Sequence, residues 1–75
     1  MYNPWMTYMI KKQKNRINFR LILLFLYQKF DPIYYKGRVE IVEQPENNRI
    51  LIQTSGNVEA DVVLKFLNKK QIIWN

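Results

Sequence analysis

The seven-residue run LILLFLY, residues 21–27, constrains this chain most. It is apolar all round, so whatever element it forms must be covered from more than one direction. A membrane-spanning helix needs about 20 apolar residues, and this run falls far short of that. The surrounding sequence sets the element type. RINFRLILLFLYQKF, residues 16–30, is long enough and rich enough in Leu for a helix. Pro32 then drives Asp31 out of helical geometry and ends it. The helix opens on a basic turn and has an apolar middle, which predicts burial on most sides, by its own sheet and by a partner.

Part of that cover is encoded in GRVEIVEQPENNRILIQTSG, residues 37–56. Val39 and Ile41 alternate with Arg38, Glu40 and, after Val42, Glu43, while Ile50 and Ile52 alternate with Arg49, Leu51 and Gln53. Period two predicts strands with one buried face. Between them, Pro45 suits the second position of a turn, and Asn47 and Asn48 tolerate left-handed backbone. The expectation is an antiparallel hairpin with a loop of about five residues. Its second strand, RILIQ, would be apolar enough to invite pairing along an open edge.

After Ser55 and Gly56, the run NVEADVVLKFLNKK predicts a second helix. Asn57 is the expected N-cap. Glu59 and Asp61 lie in the first turn and Lys65, Lys69 and Lys70 toward the end, which complements both ends of the helix dipole. Val58, Val62 and Phe66 follow i, i+4 spacing, and Val63 and Leu67 widen the stripe that covers the sheet. QIIW, residues 71–74, reads as a short last strand. The expected fold class is therefore α+β, a small two-layer α-β-β-α-(β) arrangement built on the hairpin.

Residues 1–15 show no sustained period and read as an extended basic and aromatic arm, leaving 16–75 as a single small α+β domain. Free termini of this kind fray unless something holds them, which predicts a neighbour for the arm. At 75 residues the chain is one domain at most, burying only about 60% of its unfolded surface. An independent core is marginal at this size, so another polypeptide is expected to complete the fold or cover an edge.

The chain has neither Cys nor His. The soft metal ligands and the usual general base near neutral pH are thereby missing. No catalytic residue, metal ligand, cofactor or small-molecule substrate is expected, and Ser55 and Thr54 have no base to activate them. The pairs Glu40 with Glu43 and Glu59 with Asp61 read as solvated charges, and Gly37 and Gly56 as turn residues too isolated to cradle a phosphate.

The formal net charge is +6, and its distribution says more than the total. Residues 1–36 carry seven Lys and Arg against the single acid Asp31, whereas residues 37–75 carry five of each sign. The run KKQKNR, residues 11–16, continued by Arg20, is the feature with functional weight, because clustered cations pair with phosphates and release counterions. Candidate RNA-binding residues are Lys11, Lys12, Lys14, Arg16 and Arg20. The competing reading is a solvated run that only aids solubility. Tyr2, Trp5 and Tyr8 suit stacking on unpaired bases or packing on another protein, and both readings stand. Lys69 and Lys70 fit the helix-dipole role better than RNA contact. A basic leader followed by an apolar run imitates a signal peptide, yet QKFDPIYY offers no small-residue cleavage site. The acid-free first thirty residues imitate a transit peptide but lack Ser, so the segment is expected to be retained.

Residues 37–56 resemble the N-terminal segment of the third small-subunit ribosomal protein family. There, a Ser-Arg-Ile strand, a Glu-Arg-Pro turn and an Ile-x-Ile-x-Thr strand form the first hairpin of a type II KH domain. The matching residues are Arg38, Val39, Glu43, Pro45, Ile50, Ile52 and Thr54, and FRLILLFLYQKF, residues 19–30, sits where that family has its leading helix. The eighth small-subunit family also has an acidic hairpin of the type EIVEQPENNRILI. No glycine follows Gly56, so the Gly-x-x-Gly loop of a KH groove is missing: either the first of its two helices and that loop are lost, so that residues 57–70 are the second helix, or the chain ends before the loop. The resemblance implies a partial, KH-like structural constituent of the small ribosomal subunit. Its partners would be rRNA, neighbouring ribosomal proteins and a separately encoded remainder of the same protein. Phe, Tyr, Met, Ile, Asn and Lys supply 37 of the 75 residues and Gly, Ala, Arg and Pro only 10. That balance matches AT-rich codons and favours an organelle, an endosymbiont, a parasite or a phage, with the matrix of the mitochondrion as the expected location. Two alternatives come from other classes: a peripheral subunit of an organellar membrane complex, and a phage or mobile-element effector that binds a host protein.

Overall fold

A computed structural model describes residues 5–13 and 18–75. The chain is a small α+β fold in which helices cover one face of a three-stranded antiparallel sheet. In chain order the elements are β1 (Met6–Ile10), α1 (Phe19–Lys29), α2 (Pro32–Tyr35), β2 (Val39–Gln44), a 3-10 turn (Pro45–Asn47), β3 (Arg49–Thr54) and α3 (Ala60–Lys69).

The expected hairpin is β2 and β3, with Ile41 opposite Ile52 and Val39 opposite Thr54. Asn48 closes its turn at φ 52°, the left-handed geometry that Asn tolerates. RILIQ does not form an edge: the strand order is β1-β3-β2, so β3 is central. Residues 6–10 are extended, as expected of the arm, but they are held by this chain's own sheet, with Tyr8 opposite Ile52 and Ile10 opposite Ile50. Cross-strand partners share a face. Tyr8, Ile52 and Ile41 therefore form one row toward the helices, and Ile10 and Ile50 begin the next.

Helix α1 starts at Phe19, later than the expected residue 16, because Asn18 caps it. The Asn18 Oδ1 accepts the Leu21 N–H at 2.8 Å. Asp31 ends the helix region as expected and then caps α2, its Oδ1 accepting the Ile33 N–H at 2.9 Å, with Pro32 at the first helical position where its missing N–H costs nothing. On α1 only Ile22 and Leu26 are buried. Leu21, Leu24 and Tyr27 remain exposed, Leu24 at 52%, so the sheet covers one side of the all-round apolar helix.

The start of α3 also differs from expectation. Its N-cap is Glu59, without a side-chain cap bond, not Asn57. Val58 and Val63 then occupy the two positions of a hydrophobic staple, and both are buried in the core. That burial outweighs a solvent-exposed Asn cap. It also rotates the helix so that Val63 and Leu67 are its buried residues, while Val62 and Phe66 pack at the margin. At the C-terminal end the Ile72 N–H donates to Leu67 O at 2.9 Å and the Gln71 N–H to Asn68 O at 3.1 Å. These are the two bonds of a Schellman motif, with Gln71 at φ 57° in the place usually taken by Gly. The motif turns the chain back toward β1. Instead of the expected strand at 71–74 there is a single bridge, Ile10 with Trp74, flanked by paired Met9 and Asn75 backbone bonds of 3.2 and 2.7 Å. Phe30 is fully buried, and its ring meets Phe66 edge-on at 5.6 Å.

Candidate nucleic-acid interface

Lys11 and Lys12 leave β1 directly after its last paired residue and are exposed. Their position is fixed by Gln13. The Gln13 Nε2 donates to Ile73 O at 2.9 Å and to Lys11 O at 2.7 Å, and the Gln13 Oε1 accepts the Ile73 N–H at 2.7 Å. The two basic side chains thus follow a strand whose exit is clamped to the C-terminal segment. Arg20 is exposed in the first turn of α1, two residues after the Asn18 cap. Lys14 and Arg16 lie outside the described residues.

The fold brings Arg20 to the rim of a cavity that it shares with Arg49 of β3. Arg20 and Arg49 line one cavity of about 240 Å³, together with Phe19, Leu23, Glu43 and Pro45. The pairing of Ile10 with Ile50 puts Lys11 at the same end of the sheet as Arg49. Lys11, Lys12, Arg20 and Arg49 therefore gather at one end of the molecule. Arg49 Nη1 approaches Met9 Sδ at 3.8 Å, and its Nε is buried without a protein partner. No sequence period could mark Arg49, because a cation on the outer side of a half-buried strand is the ordinary pattern.

Glu43 lines the same cavity and Glu46 the adjacent turn, so carboxylates border the basic end. Neither is within ion-pair distance of the arginines: among the described residues the ion pair is Lys65 with Asp61, at 3.8 Å. The cations remain available to an external anion. An arrangement of this kind could pair with a phosphate through charge, with the fixed strand end setting its position. Among the described residues there is no group of three acidic side chains that could hold a metal ion, and no helix long and apolar enough to cross a membrane. Comparison with known proteins finds no family model, no curated protein and no solved structure that matches the chain.

Proposed function

We propose that this protein is a structural constituent of a small ribosomal subunit, in a mitochondrial ribosome, that binds rRNA through its basic N-terminal end. The observation that carries the reading is the gathering of exposed Lys11, Lys12 and Arg20 with Arg49 at one end of the sheet, the end toward which the N-terminal charge excess leads. Lys14 and Arg16 belong to the same basic run. The resemblance of residues 37–56 to the first hairpin of a ribosomal KH-type domain supports the ribosomal class, and the AT-rich codon balance supports an organelle. With no Gly-x-x-Gly loop, the chain holds RNA by phosphate contacts and not by a KH groove. The hairpin serves as scaffold. Leu21, Leu24 and Tyr27, exposed on α1, are the surface on which a neighbouring ribosomal protein packs, including a separately encoded remainder of the same protein.

The test is filter binding of the full chain to small-subunit rRNA fragments, beside flotation with anionic liposomes. Each phosphate contact to single-stranded RNA contributes about 0.6 log units at 0.15 M salt, from a slope of about 0.7 per contact. The triple variant Lys11→Gln/Lys12→Gln/Arg20→Gln should therefore bind roughly 50-fold more weakly. Flotation with liposomes and no retention of RNA would replace this reading with the peripheral membrane subunit.

A further inference from the structure

A second cationic surface lies away from the basic N-terminal end. Lys29 at the end of α1 and Lys65, Lys69 and Lys70 on and after α3 line a groove of about 420 Å³ whose floor is Val62 and Phe66. Lys69 and Lys70, assigned from sequence to the helix dipole, thus face a third and a fourth cation brought in by tertiary packing. The dipole does not account for all four. Two helix C-termini carry about half a negative charge each, and Asp61, paired with Lys65 at 3.8 Å, adds one more, which leaves an excess of about two positive charges. Lys70 is already engaged: its Nζ sits 4.5 Å from the centroid of the Phe25 ring, which leaves Lys29, Lys65 and Lys69 as the ammonium groups that meet an anion.

We propose that this groove is a second RNA contact, which takes a short single-stranded segment with its phosphates on Lys29, Lys65 and Lys69 and a base against Phe66. Two features select this ligand class. The charge excess calls for a polyanion, and an apolar, aromatic floor between the ammonium groups suits a flat base joined to phosphates, whereas a duplex shields its base faces. Arg20 and Lys29 stand nine residues apart on α1, about 14 Å along the axis at 1.5 Å per residue. That exceeds a Debye length of about 8 Å at physiological salt. The two ends therefore act as separate contacts on one strand of RNA. This inference rests on the reading of the chain as an RNA-binding protein and adds a site to it.

The experiment is lysine acetylation of the full chain, read by mass spectrometry, with and without an oligouridylate of about 16 nucleotides. It is paired with binding by the variant Lys29→Gln/Lys65→Gln/Lys69→Gln, whose exposed side chains leave the core untouched. The expected result is protection of Lys29, Lys65 and Lys69 by the oligonucleotide. Affinity of the variant should fall roughly 50-fold at 0.15 M salt, with the thermal transition unchanged. Protection confined to Lys11 and Lys12, with the groove variant binding like the parent chain, would overturn the groove and leave the N-terminal interface standing. Failure of the parent chain to bind any RNA would overturn both. Protection of the groove lysines by phosphatidylserine vesicles but not by RNA would assign it to lipid headgroups and overturn the proposal.

Discussion

If β1 is an integral strand, Ile10 belongs to the core as much as any residue of the hairpin. It is fully buried, pairs with Ile50 and bridges Trp74. Ile10→Ala removes three carbons, worth about 0.8 kcal/mol each in transfer, or about 2.4 kcal/mol together. The cavity left under α1 and α3 raises this to about 3–4 kcal/mol. Domains of this size have total stabilities of about 4–11 kcal/mol, so the variant should lose roughly a quarter or more of its stability. Met9, the neighbour on the outer face, is only half-buried, and Met9→Ala should cost about 1 kcal/mol. Urea unfolding followed by tryptophan fluorescence resolves the two. With a slope of about 1 kcal/mol/M the midpoint should drop by about 3 M for Ile10→Ala and about 1 M for Met9→Ala. Equal midpoints would mean that β1 does not dock in the observed register, and the clamp on Lys11 and Lys12 would go with it.

Three further outcomes follow from single atoms. Thr54 is fully buried with its Oγ1 unpartnered, so Thr54→Val should raise stability by about 1 kcal/mol in the same unfolding assay; a loss would reveal a hydrogen bond to the hydroxyl. Gly37 has φ 79° and open space where a Cβ would stand. Gly37→Ala should therefore cost only the left-handed backbone penalty of about 1–2 kcal/mol, and an unchanged melting temperature would contradict that turn geometry. Gln13→Ala deletes the side-chain bonds to Lys11 and Ile73 and should speed hydrogen exchange at the Ile73 amide by about 5- to 30-fold, since about 1–2 kcal/mol of local stabilisation is lost. Unchanged exchange would show that the clamp does not hold the terminus.

The hairpin was legible because Val39 and Ile41 flank Glu40, and Ile50 and Ile52 sit between Arg49 and Gln53, the period-two placement of strands with one buried face. β1 was not, since Met9 on the outer side is as apolar as Tyr8 and Ile10 on the inner, and the period disappears. The last turn of the chain was hidden for another reason: the Schellman motif uses Gln71 where Gly is the familiar signal, and the bond from Gln13 to Ile73 joins residues 60 apart in sequence. At the candidate site, Lys11, Lys12 and Arg20 were readable as charge. The approach of Arg49 to Arg20, and of Lys29 to Lys69, comes only from packing α1 on the sheet and on α3.

The central claim is that the basic N-terminal end pairs with RNA phosphates, and the salt dependence of binding tests it most directly. Affinity for an rRNA fragment is measured from 0.05 to about 0.3 M salt for the parent chain and for Lys11→Gln/Lys12→Gln/Arg20→Gln, and log Kobs is plotted against log salt. Each lost phosphate contact flattens the slope by about 0.7–0.9, so the variant's line should be shallower by about 2–3. Parallel lines would contradict the account, because three cations that touch no phosphate release no counterions.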